Sequence, residues 1–170
     1  MNRVQAYLDA VETALKGATP AFADVRVQLD AIDEEDITRQ GFQTPAARVI
    51  LMRGLPVRNP DRSIDVDLAI GVAVMAQAEG RQRPEEVALD AMMGALALID
   101  NNRFGLKDIG FPRDLQFRGA LPAAETKGIS VLVLAYQQRL LRVTEGVAMA
   151  RGPIGGDEVQ LPAGLDGSEP

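Results

Sequence analysis

Residues 63–78 read SIDVDLAIGVAVMAQA, and the fold follows from how these positions alternate. Ile64, Val66, Leu68, Ile70, Val72, Val74 and Ala76 recur at every second place. Between them lie Ser63, Asp65, Asp67, Ala69, Gly71, Ala73, Met75 and Gln77, polar first and then small. A period of two puts the two sets on opposite faces of one strand. At about 3.3 Å per residue the stretch spans roughly 50 Å. A single domain of this length is only about 35–40 Å across. One end of the strand is therefore expected to project beyond its own core and to meet a partner.

The neighbouring segments supply a sheet around this strand. Residues 46–53 (AARVILMR) form an apolar strand, and GLPVRNPDR (54–62) is a turn or an extended hairpin tip leading into the long strand. That tip displays Arg53, Arg58 and Arg62 beside Leu55 and Val57. Val25, Val27 and Leu29 alternate with polar residues in a short strand with one wet face. Leu115 and Phe117 mark another. Residues 128–143 (GISVLVLAYQQRLLRV) form a second long strand, apolar on both sides at first. Its later Gln137, Gln138, Arg139 and Arg142 predict that it, too, leaves the core.

Two helices complete the pattern. Val4, Tyr7, Leu8, Val11 and Leu15 follow helical spacing over residues 2–15, with Gly17 and Pro20 as stops. The second opens at Arg83-Pro84-Glu85-Glu86, where Pro suits the first turn and the glutamates oppose the helix dipole. It runs to about Asp100, with Met92 and Met93 as core filler. Phe104, Ile109 and Phe111 pin the connector that follows. The order α-β-β-β-α-β-β defines an α+β fold: a mostly antiparallel sheet of about five strands with both helices on one face. Residues 1–143 form this domain. Residues 144–170 hold six glycines and three prolines, a composition that cannot build a core, and read as a C-terminal arm or tail with a short strand over residues 158–161.

Composition narrows the chemistry. The chain has no Cys and no His, which removes thiol nucleophiles, thiolate metal sites, disulfides and the usual neutral-pH base. Gly152, Gly155 and Gly156 do not match a phosphate-binding loop. Asp65 and Asp67 share a strand face about 6.6–7 Å apart. With Asp61 they offer a divalent-cation site, set against a plain reading as the polar side of a half-exposed strand. The acidic run Asp33, Glu34, Glu35 and Asp36 is a contact for an Arg-bearing partner or a solvated loop, and lacks the spacing of a calcium loop. No catalytic residue, cofactor or metal is expected. No apolar run is long enough to span a membrane. The amphipathic N-terminus, with Asp9 and Glu12, is unlike a signal peptide, and the expectation is a soluble intracellular protein. Net charge of −6 opposes a main role in binding nucleic acid. The fifteen Arg against three Lys suit protein contacts, and equally suit a GC-rich genome.

The element order, the phrase DRSIDVDLAIGVAVMA (61–76) and the closing ETKGISVLVLAYQQRLLRV (125–143) together resemble the tail terminator, or tail completion, proteins of long-tailed bacteriophages, especially the Mu-like group. The resemblance covers residues 2–143. It implies a homo-oligomeric ring, hexameric in that family, that caps the tail tube at the top of the tail. Its partners would be further copies of itself, the tail tube protein and the head-to-tail connector, with DNA only as passing cargo, after assembly in the host cytoplasm. Arg58, Arg62, Asp65 and Asp67, with the acidic run, are the candidate contacts. A head-completion or neck protein of the same virion is the neighbouring alternative, and a small metal-dependent enzyme using Asp61, Asp65 and Asp67 the more distant one.

Overall fold

In the computed structural model, residues 2–29, 42–120 and 128–143 are described. Helix α1 (Arg3–Lys16) and strand β1 (Asp24–Gln28) are followed by the hairpin β2 (Ala46–Arg58) and β3 (Ile64–Gln77). Helix α2 (Pro84–Ile99), strand β4 (Arg113–Gly119) and strand β5 (Ile129–Leu140) complete the domain. The sheet runs β1-β2-β3-β5-β4, with β1 parallel to β2 and every other pairing antiparallel. The expected α+β architecture and element order are those observed.

The long strand lies at the centre. Val66, Leu68, Ile70, Val72 and Val74 point into the main core with Leu8, Val11 and Leu15 of α1 and Ala91, Met92, Ala95 and Ile99 of α2. Both helices lie on this face, α1 against β1 and β2 and α2 against β3 and β5. Asn2 caps α1 by accepting from the Val4 N–H at 2.9 Å. At the start of α2, the Glu86 carboxylate accepts from both the backbone and the guanidinium of Arg83. Gly94 is there because α2 passes tight against the chain before β1: a Cβ on it would stand 2.6 Å from the Thr19 carbonyl oxygen.

Several local expectations need correction. β2 does not stop at Arg53 but runs on to Arg58, through Pro56. β1 pairs β2 only over Ala46 to Ile50, so beyond that point β2 is an edge and Pro56 removes no ladder bond. The long strand is not a lone projection either. β2 follows it to Ile64, and β5 follows it from Gln77 to Val66. β5 likewise stays in the core to its end: Tyr136, Gln138 and Leu140 are all buried. The connector after α2 covers them, through Ile109 pairing with Leu140 and a Gly110 N–H bond to the Arg139 carbonyl. Phe104 meets the Tyr7 ring edge-on at 6.0 Å, but Phe111 stays exposed beneath the Arg103 guanidinium. Met92 is core, whereas Met93 is 49% exposed, because the two lie about 100° apart around α2.

Candidate interaction surface

The hairpin end is built by its own turn. Asn59 N–H donates to the Ser63 carbonyl, Arg62 N–H donates to the Asn59 carbonyl, and Arg62 takes a left-handed φ of 69°. Asp61 accepts from the Ser63 hydroxyl at 2.6 Å and its backbone N–H at 3.0 Å, which lowers its pKa. The side chains of Arg58 and Arg62 are exposed and make no hydrogen bond or ion pair among the described residues.

The paired strand carboxylates are used differently. Asp67 binds Arg139 through both oxygens, at 2.7 and 2.8 Å, and Arg113 at 3.1 Å. The Arg139 hydrogen bond holds its pKa below the usual value in spite of partial burial, with the Arg113 charge adding to it. Asp65 is buried and accepts the Arg142 backbone N–H at 2.8 Å. Asp61, Asp65 and Asp67 are thus each engaged separately. Among the described residues no group of three or more metal-ligating side chains could hold an ion. Asp33, Glu34, Glu35 and Asp36 lie outside the described residues, as does the 144–170 segment. No helix among the described residues is long and apolar enough to cross a membrane.

The sheet face opposite the helices carries the larger surface. Strand register lays its side chains out in rows across the sheet. Arg48, Ala73, Val133 and Arg118 form one row, and Ile50, Gly71, Ala135 and Gln116 the next. Arg53, Ala69, Gln137 and Arg113 follow, then Leu55, Asp67 and Arg139. At one end Phe42 and Ala120 pack over Ala46, Met75, Ile129 and Val131 in a second small cluster. Past it, no helix among the described residues covers the face, and Met52 and Leu55 are 56% and 47% exposed. A bulge between Leu51 and Arg53 puts Met52 over Gly71, its sulfur 3.2 Å from where a Cβ would stand. Beside it is a depression of about 200 Å³ lined by Met52, Gln116, Phe117, Arg118, Val133 and Ala135.

Two polar arrangements in the interior were not anticipated. Arg48, only 4% exposed, binds Asp24 at 2.7 Å; burial works to raise the Asp24 pKa, but Arg48 and Arg26 together bring it below the ordinary value. Under α1, the Tyr7 hydroxyl donates to Gln138 Oε1 at 2.8 Å and lies 2.9 Å from the Tyr136 hydroxyl. Gln138 Nε2 donates to the Asn102 and Gly110 carbonyls at 3.0 and 2.8 Å. With both amide hydrogens so committed, Oε1 accepts from Tyr7, and Tyr136 must donate to Tyr7. Burial pushes both phenols up. The readable signal was Gln138 falling in the Leu134–Tyr136–Leu140 register; its flanking Gln137 and Arg139 masked it.

No family model and no curated protein matches this chain. Among solved structures it is similar to a chain of the virion of a native gene transfer agent (GTA) particle. That match has 16% identity, a TM-score of 0.49, and covers 79% of this chain and 93% of that chain.

Proposed function

We propose that this chain is a structural virion protein that assembles into a closed ring, caps the tail tube, ends tube polymerisation and offers the surface on which the head or neck attaches. The observation that carries this reading is the sheet face opposite the helices. No helix among the described residues covers it, and it keeps Met52 and Leu55 exposed, a burden that a lone domain ordinarily avoids and that a subunit contact relieves. The sequence pattern shared with tail terminators supports the ring and its place. A ring needs a heterologous contact whose rotation closes. Arg58 and Arg62 at the hairpin end and the acidic run Asp33, Glu34, Glu35 and Asp36 are opposite charges suited to steering such contacts. Net charge of −6 suits a channel that lets DNA pass without adhering.

Mass photometry of the full chain, alone and mixed with tail tube protein, tests the reading. Rings of one defined mass, and shortened tubes when the two are mixed, are the expected result. A chain that stays monomeric at high concentration in both samples refutes it. Labelling on assembled particles separates the tail top from the portal, where a neck protein would lie.

A further inference from the structure

We infer that the sheet face opposite the helices and the outer face of α2 are the two halves of one head-to-tail contact between copies of this chain. The inference rests on the oligomeric reading above and names the surfaces that would make it.

The outer face of α2 is amphipathic in its own right. Glu85, Leu89, Met93 and Ala97 follow one another at every fourth residue and are all exposed, Leu89 by 46% and Met93 by 49%. Glu86, Asp90 and Asp100 fall in the same half of the helix circumference at about 100° per residue. Every charge on this sector is negative. The carboxylates of Glu85, Asp90 and Asp100 make no hydrogen bond or ion pair among the described residues, so they are available to a partner.

The sheet face offers the complement. Its depression of about 200 Å³ sits between Met52 and Arg118, with Val133 and Ala135 in its lining. Arg118 lines it and Arg53 stands next to Met52 on β2; both side chains are exposed and make no hydrogen bond or ion pair among the described residues. The register places them three strand spacings apart across the sheet and four residues apart along it. That gives a backbone diagonal of about 20 Å. From Glu85 to Asp100, α2 extends about 22 Å. A helix laid along that diagonal brings an acidic residue to each arginine while Leu89 and Met93 enter the depression. Apolar anchors in a pocket, ringed by charges that set the register, are what a specific interface requires.

The two surfaces belong to opposite layers of the domain. One copy therefore cannot satisfy itself, and each contact leaves one free half at either end. That is the heterologous geometry which propagates until it closes. The competing occupant of the sheet face is the chain's own 144–170 segment, which holds five acidic residues (145, 157, 158, 166, 169) against one arginine (151).

The absence of Cys makes the test clean. The full chain carrying both Met52→Cys and Met93→Cys is oxidised and compared with each single variant. A ladder of covalent multimers from the double variant only, with the two single variants giving a covalent dimer when mixed, is expected. In mass photometry, Arg118→Glu should raise the assembly midpoint about tenfold or more, and adding Glu85→Arg or Asp100→Arg, whichever end of α2 meets that corner, should restore it, with unchanged far-ultraviolet circular dichroism throughout. If the wild type forms rings while the double variant gives no more ladder than the singles, or Arg118→Glu assembles normally, this contact is overturned and the ring stands. If the wild type never assembles, both fall. If Met52→Cys in the monomer is shielded from a maleimide until residues 144–170 are deleted, the chain's own segment covers the face and the inference fails.

Discussion

Replacing Gln138 with Met tests whether the buried amide holds the outer end of the domain together. The side chains are close in volume, so the change removes hydrogen bonds and leaves no cavity. Gln138 is fully buried, and its amide donates to the Asn102 and Gly110 carbonyls, neither of which has another donor among the described residues. Each carbonyl left unpaired costs about 1–3 kcal/mol when buried. Both residues are half-buried, so the low end applies to each. The Tyr7 hydroxyl loses its acceptor but keeps Tyr136, at a further cost of about 1 kcal/mol. A thioether in an apolar site recovers part of this, which leaves a net loss of about 1–3 kcal/mol. Urea denaturation reads it directly: with a slope of about 2 kcal/mol/M the midpoint falls by about 0.5–1.5 M at unchanged slope. Tyr7→Phe alone should cost about 1 kcal/mol, and the double variant should cost less than the two singles together by at least about 0.5 kcal/mol, because they share one network. A midpoint drop under about 0.5 M, or strict additivity, would show that the network is not acting as described.

Asp67→Asn breaks the bond to Arg139 and the pair with Arg113, and should cost about 1–2 kcal/mol near neutral pH, discounted because both arginines are well exposed. Arg139 holds the Asp67 pKa down in the folded state, so its contribution is present above the unfolded value of about 3.9 and is lost as pH falls through the folded value. The gap in urea midpoint between wild type and Asp67→Asn should therefore close in acid; a gap that stays constant from pH 7 to pH 3 contradicts it. Gly94→Ala adds a methyl 2.6 Å from the Thr19 carbonyl oxygen, and should lower thermal stability by about 1–3 kcal/mol although alanine favours helix. A stabilised variant would refute the close approach.

How much of this was legible follows from how far apart the interacting residues stand. The alternation from Ile64 to Ala76 needs only neighbours, and the helix-facing register was read from it directly. The Pro, Gly and Asn of residues 54–62 read as a turn or an extended hairpin tip, yet Pro56 is tolerated within β2 because β1 has already ended, a fact set by a strand some 30 residues upstream. Arg48 lies within an apolar run, and its partner Asp24 sits 24 residues away. Arg139 and Asp67 are 72 residues apart, so two charges that each suggested exposure in fact neutralise one another. Gln138 was read as a sign of exit from the core because the connector that covers it carries no strand or helix pattern. Periodicity says which face a residue takes. It does not say what will later lie over that face.

The reach of the sheet past its helices has a geometric cause. β3 has 14 residues and α2 has 16, so the strand spans about 46 Å and the helix about 24 Å. A helix layer of that length cannot cover the sheet on its own side, where α1 and the connector must finish the task. Along β3 that face holds Ala69, Gly71 and Ala73, flanked by Met52 and Val133, with Arg48, Arg53, Arg113 and Arg118 on the outer strands. Small residues and a bulge-borne methionine make a shallow, fillable surface, and the Tyr7–Gln138 network fixes the far end of β5 behind it. A surface held rigid before contact loses less entropy on binding than one ordered by it. Length, a track of small residues along β3 and a locked back face all fit the assembly proposed above.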